Sequence, residues 1–201
     1  GGHGQYGDCW LEVAPLARGS GFAFDNRIIG GAIPRNFIPA VEKGVHEALH
    51  EGPLCGAPVV DVMVTVYDGS FHTVDSSEMS FKIAGAMAFK KAVETAHPVL
   101  LEPVMRVEVD SPTDTIGAVM GDLNARRGRI VSVNAMAHHM ERITVMVPLA
   151  ELLRYTTSLN AVTGGRASYA MEFDHYDEVP RELTGKIIER QKVERHIAVT
   201  H

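Results

Sequence analysis

The 201 residues are 45% apolar and 22% charged, with 19 Gly and 10 Pro. This is ordinary globular composition, and it excludes disordered, collagen-like and low-complexity chains. No apolar run nears the roughly 18–20 residues that span a bilayer, and no basic segment leads into an apolar one as in a secretory leader. The net charge of −6 excludes a binder that holds nucleic acid by bulk positive charge, so any RNA contact must be local.

The chain opens on Gly1-Gly2-His3-Gly4-Gln5-Tyr6-Gly7, without an initiator Met or a lead-in strand, and reads as a piece of a longer protein. Ile38, Val41, Val45, Ala48 and Leu49 recur at helical spacing until Gly52-Pro53 stops them. Val60, Val62, Val64 and Val66 alternate with Asp61, Met63, Thr65 and Tyr67, a strand. Asp75-Ser76-Ser77-Glu78 predicts a capped helix start, with Glu78 reaching back to Asp75 in a capping box. That helix, from about Ser76 to Ala96, presents Phe81, Ala84, Ala88 and Ala92, with Met79, Ile83 and Met87 beside them.

A second block follows. Met105, Val107 and Val109 alternate as a half-buried strand, and Ser111-Pro112-Thr113-Asp114 supplies a cap and a first-turn proline. Ile116, Val119, Met120 and Leu123 form a helix face that ends at Arg126-Arg127, with Gly128 placed for the left-handed stop. Strands follow at 129–133 and around Ile143, Val145 and Val147, then a short helix over 149–159 and a strand of Tyr169, Met171 and Phe173. The order βαββαβ is that of ferredoxin-like domains. The fold class is therefore α+β: an α/β domain over residues 1–100, a ferredoxin-like domain over 101–180, and a charged tail over 181–201, helical to about Arg195. The boundary falls between Pro98 and Pro103.

Few motifs point to chemistry. His46-Glu47-Ala48-Leu49-His50 fits the H-E-x-x-H pattern of a zinc hydrolase. Its continuation fails, because Pro53 and Gly56 stand where the longer pattern needs Gly and His, so a solvated helix face explains these residues as well. There is no G-x-x-x-x-G-K-[ST] segment, since Gly185-Lys186-Ile187 lacks the upstream Gly and the hydroxyl, and there is no G-x-S-x-G elbow. No catalytic residue and no metal ligand is assigned. Cys9 and Cys55 make no disulfide framework, point to a reducing, cytosolic setting, and read as small buried residues. His138-His139 falls between two strands, at a hairpin tip. Two loops stand out. One is the glycine-rich 1–7 segment, where backbone can approach a ligand closely. The other is residues 67–75, either a plain turn on Asp68-Gly69 or a display of His72 and its neighbours for stacking on nucleotides.

Several segments carry a resemblance. GHGQYG (2–7), PLARGSGF (15–22), GGAIP (30–34) and YDGSFHTVDSSEMSFKIAG (67–85) resemble domain IV of bacterial elongation factor G. LEPVMRVEV (101–109), GDLNARRG (121–128), VPLAE (147–151) and FDHYDEVP (173–180) resemble its domain V. The resemblance implies the C-terminal part of a translational GTPase that moves tRNA and mRNA through the ribosome. It implies tip loops that contact RNA in the decoding region, formed here by His3, Gly4, Gln5 and Tyr6 and by Asp68, Gly69, Ser70, Phe71, His72 and Thr73, with Gln5 and His72 touching the tRNA–mRNA pair. Domain V would face the large subunit, near the sarcin–ricin loop and the proteins of the GTPase-associated centre, with Arg126 and Arg127 as candidate contacts.

GTP and Mg would belong to an N-terminal domain outside this chain, which itself would turn nothing over, need no cofactor, bind neither membrane nor DNA, and be a cytoplasmic monomer. VNAMAHHMER (133–142) and Leu153-Arg154 depart from the family's pattern and point to a divergent paralogue in recycling or rescue. The competing classes are the zinc hydrolase and a module that docks on a protein partner. Residues 1–100 carry 7 basic and 11 acidic residues, a balance of −4, which suits an RNA-facing tip only if the acids lie on the shaft. Asp68 and Asp75 sit uneasily with that, unless Asp75 is occupied in capping.

Overall fold

The computed structural model describes the backbone of residues 4–199 and the side chains of residues 4–191. His3, one of the expected tip residues, lies outside them. The described residues divide into two compact units, one holding those up to Val99 with those from Pro180 onward, the other Leu100–Val179. Mixed α+β architecture is found in both. Among the described residues, no helix is long and apolar enough to cross a membrane.

In the first unit, strands β1 (Asp8–Pro15), β2 (Phe22–Asn26) and β3 (Val62–Ser70) form a sheet in the order β1-β3-β2. β1 runs antiparallel to β3 and β2 parallel to it. Parallel neighbours need a long crossover, and α1 (Ile38–Leu49) lies within it. The second helix, α2 (Glu78–Thr95), packs with α1 over a core of Val41, Val45, Val64, Val66, Phe81 and Phe89. The two helices cross at glycines: a Cβ on Gly44 would fall 1.9 Å from the Lys82 carbonyl oxygen, and one on Gly85 2.6 Å from that of Val41. Backbone contact this close is open only to glycine.

Four expectations for this unit need correction. β1 and β2 are absent from the sequence reading, although Cys9, Leu11 and Val13 alternate with Trp10, Glu12 and Ala14 along β1. β3 starts at Val62 rather than Val60, because Asp61 takes a left-handed φ of 58° that no strand residue adopts. The cap of α2 is Ser77, whose Oγ accepts from Ser80 N while Ser80 Oγ accepts from Ser77 N, so the box uses two serines rather than Asp75 and Glu78. Its buried residues are Ser80, Phe81, Gly85, Phe89 and Val93, whereas Met79, Ile83 and Met87 are exposed. Apolar residues surround this helix, so periodicity alone cannot say which stripe meets α1.

The second unit is βαββαβ, as read from the sequence. Strands β4 (Leu101–Pro112), β5 (Arg129–Ala135), β6 (Met140–Pro148) and β7 (Ser168–Glu178) form an antiparallel sheet in the order β5-β6-β4-β7. The helices α3 (Ile116–Ala125) and α4 (Tyr155–Thr163) contribute to a core with Val107, Val109, Val119, Leu123, Ile143, Val145, Val147 and Leu159. Pro112 ends β4 instead of opening α3, whose N-cap, Thr115, makes no side-chain cap. Arg127, not Gly128, takes the left-handed stop at φ 62°. Gly128 is demanded by space, since its Cβ would meet the Leu123 oxygen at 2.5 Å. The expected 149–159 helix is a 3-10 turn (Leu149–Leu152) and α4, broken by Arg154 at φ 60°. A final helix, α5 (Arg181–Val199), occupies the tail.

Candidate nucleic-acid interface

β3 runs through Asp68, Gly69 and Ser70 before the chain turns, so Asp68-Gly69 is strand rather than a turn pair. Gly69 is required there, because its Cβ would lie 2.3 Å from the Asp8 oxygen and 2.7 Å from Ile33 Cδ1. The exposed loop is therefore 71–77, held between the last residue of β3 and the serine cap of α2. Against it lies the segment 4–7, which leads into β1.

Asp75 joins the two. One carboxylate oxygen, Oδ1, accepts from Gly4 N at 2.9 Å, and Oδ2 lies 3.1 Å from His72 Nδ1. The Asp75 carbonyl accepts from Tyr6 N at 2.9 Å. Tyr6 is fixed from its other side as well, its carbonyl accepting from Ser76 Oγ at 2.9 Å and Ser80 Oγ at 2.7 Å. Gly7 follows where a Cβ would sit 2.7 Å from the Ser80 oxygen. At the base, Ser70 Oγ donates to Asp8 Oδ2 at 2.9 Å, so the Tyr6 phenol must be the donor in its 2.6 Å bond to Ser70 Oγ. Asp75, Tyr6, Ser70, Ser76 and Ser80 thus stitch the two segments together.

The stitching decides what the loop displays. His72 N donates to Ser76 Oγ at 2.9 Å, and its imidazole lies beside the Tyr6 ring, with centroids 6.4 Å apart. When protonated, Nδ1 donates to Asp75 Oδ2; when bare, it accepts from Val74 N and Asp75 N at 3.4 and 3.3 Å. In both states Nδ1 is consumed, and Nε2 is the nitrogen left for a partner. Gln5, Tyr6, Phe71, His72 and Thr73 are all exposed. The side chain of His72 is 55% accessible, far from an interior position.

The remaining candidates have structural employment. Arg126 Nε pairs with Asp122 Oδ2 at 3.0 Å, Nη1 donates to the Glu151 carbonyl at 2.6 Å, and the guanidinium lies 5.2 Å from the Tyr155 ring centroid. Arg127 pairs with Glu102 and, at 3.6 Å, with Glu151; its bond to Glu102 in particular favours the charged guanidinium. These two arginines tie the end of α3 to β4 and to the turn after β6. His46 and His50 lie edge to face, 5.5 Å between centroids. Glu47, which a hydrolase would use on water, is bound to Lys82 Nζ at 2.8 Å, and that bond lowers its pKa. Among the described residues, no group of three or more His, Cys, Asp or Glu is placed to hold a metal. His138 and His139 turn the β5–β6 hairpin with φ of 61° and 58°. Cys9 and Cys55 are buried, and burial, with Asp8 beside it, pushes the Cys9 thiol up to about 12.

Sequence reasoning missed two carboxylates. It gave Asp75 to helix capping, whereas the serines cap and Asp75 is free to join the loops. It passed over Asp61, whose carboxylate accepts backbone N–H groups from the PLARGSGF segment, Gly21 N at 2.9 Å among them. The paired glycines at 19 and 21, both at positive φ, were the available signal for a backbone nest around an acid.

Residues 1–97 match the family model of elongation factor G, domain IV, and residues 99–187 that of the elongation factor G C-terminus. A crystal structure of a Thermus thermophilus protein is similar at 45% identity and a TM-score of 0.84. That match covers 96% of this chain and spans 28% of the Thermus one. The chain belongs to the elongation factor G family, of which it carries domain IV followed by the C-terminal domain.

Proposed function

We propose that this chain is the ribosome-engaging part of a translational GTPase of the elongation factor G type, acting in the cytoplasm to promote movement of tRNA and mRNA. The observation that carries the reading is the stitched double loop, which holds His72, Phe71, Gln5 and Tyr6 exposed at the end of a packed α/β unit. A loop fixed at both ends can meet a tRNA–mRNA pair without first paying to become ordered, and its Nε2, amide and hydroxyl groups suit RNA edges and 2′-hydroxyls. The work is mechanical: the arm fills the vacated site and blocks backward slippage. GTP and Mg belong to a separate domain of the parent protein. The C-terminal domain faces the large-subunit RNA and the proteins near the GTPase-associated centre, and Arg126 and Arg127 serve there by holding the end of α3 in shape.

The test uses the full-length parent. His72→Ala should slow single-round translocation by at least about tenfold, the effect of roughly 1.4 kcal/mol lost at the transition state, while ribosome-stimulated GTP hydrolysis stays within twofold. Equal loss of both activities refutes a tip-specific role. Normal translocation with slowed subunit splitting would instead assign the protein to recycling.

A further inference from the structure

The sheet of the first unit has a second face. Alternation along β1 and β3 turns Cys9, Leu11, Val13, Val62, Val64 and Val66 towards the helices, so the exposed Trp10 and Glu12 occupy the opposite side together with Thr65, which is buried at 4%. The irregularity between Trp10 and Leu11 leaves Tyr67 without a register partner, and its ring meets that of Trp10 edge to face at 6.3 Å and 83°. Trp10 is 53% exposed and Tyr67 44%. Exposed aromatics that touch one another, unlike apolar residues scattered singly, form the kind of contiguous patch that marks interaction sites. Carboxylates surround the pair. Asp68 lies directly across from Trp10, and one row further Glu12, Thr65 and Asp25 line up across all three strands. Arg27 is bound to Asp25 at 3.0 Å.

We propose that this face docks an arginine-containing segment of a partner protein. A guanidinium can lie on the face of an indole or phenol ring while its N–H fork reaches a carboxylate, and Trp10 with Asp68 supplies both within one cross-strand pair. A nucleobase could stack on Trp10 equally well, but its phosphates would then face the carboxylates of Asp68 and Glu12, while Asp25 is paired with Arg27. Charge complementarity therefore selects a basic peptide over RNA. This inference stands apart from the tip loop and does not depend on it.

Trp10 is the single tryptophan of the chain and reports on its own face. Titrating the chain with nona-arginine should change tryptophan emission saturably. Glu12→Gln combined with Asp68→Asn should weaken binding at least about fivefold, and so should Trp10→Leu read by calorimetry. Glu42→Gln with Glu94→Gln, which removes the same charge from the two helices, should leave affinity within twofold, and circular dichroism checks that each variant folds. Equal weakening by the helix pair would mean diffuse attraction and overturn the proposal. So would binding without a change in emission, or tighter binding of a nine-nucleotide single-stranded RNA that the Trp10 variant abolishes.

Discussion

Replacing Asp75 by Ala removes a small number of defined contacts, and its consequence can be worked out. The backbone carbonyl keeps its bond from Tyr6 N, but Gly4 N loses its acceptor and His72 Nδ1 its carboxylate. A hydrogen bond to a charged acceptor contributes about 1.5–3 kcal/mol, and because the Asp75 side chain is 31% exposed the low end applies. When His72 carries a proton on both ring nitrogens, its exposed ion pair with Asp75 adds about 0–1 kcal/mol. The sum, about 2 kcal/mol, is a roughly 30-fold rise in the equilibrium for local opening of the double loop. Amide hydrogen exchange reads this directly: the Gly4 and Tyr6 amides should exchange about 30-fold faster, while those of Val64 and Val66 in the core strand hold their rates. Asp75→Asn retains one acceptor oxygen and should fall between, near fivefold. Unchanged exchange at Tyr6 in the Ala variant, or equal acceleration in the core, would refute the view of Asp75 as the joint between the loops.

Three other perturbations probe the frame that carries the loops. Gly44→Ala gains about 1 kcal/mol of helix propensity, yet its methyl would lie 1.9 Å from the Lys82 oxygen. Forcing α1 and α2 apart costs more than that gain, and thermal unfolding should drop by several degrees. Asp61 is drawn up by burial, but the backbone N–H groups of residues 19–21 and Arg18 outweigh this and hold its carboxyl below the usual range. A depressed folded pKa means stability that is complete at neutral pH and lost as pH falls through it. The difference between wild type and Asp61→Asn in denaturant midpoint should therefore shrink from pH 7 to pH 3. The Tyr155 hydroxyl is the buried side-chain polar atom without a hydrogen-bond partner among the described residues, and Tyr155→Phe should leave stability unchanged or raise it by up to about 1 kcal/mol in urea unfolding.

The sequence was most legible where one physical signal dominates. The ferredoxin-like half has valines on alternate residues of β4 and β6 and a single apolar face on α3, and its order of elements was readable throughout. Loops and ends were legible in kind but not in detail. Gly128 looks like the left-handed stop because glycine usually takes it, but here crowding by Leu123 claims Gly128 and pushes the left-handed turn onto Arg127. Asp75-Ser76-Ser77-Glu78 contains three possible caps, and Ser77 wins because Ser80 can answer it within the same turn. Long-range bonds such as Gly4 N to Asp75, 71 residues apart, leave no trace in local pattern.

The acidic balance of the first hundred residues looked awkward for a surface proposed to meet RNA, and the contacts of the carboxylates within the double loop ease that. In the 71–77 loop Asp75 is the lone acid, and its oxygens are turned onto Gly4 N and His72 Nδ1. Asp8, at the base, is engaged by Ser70. What the loop presents outward is an imidazole nitrogen, a carboxamide, hydroxyls and ring edges, none of them anionic. Asp68 and Glu12, by contrast, share the open sheet face with Trp10, and Glu47 is tied to Lys82. Negative charge is thus sorted by surface rather than averaged over the arm. A loop without outward anionic groups and an acidic, aromatic flank would suit the two proposed partners of opposite charge, a contrast that a net value of −6 conceals.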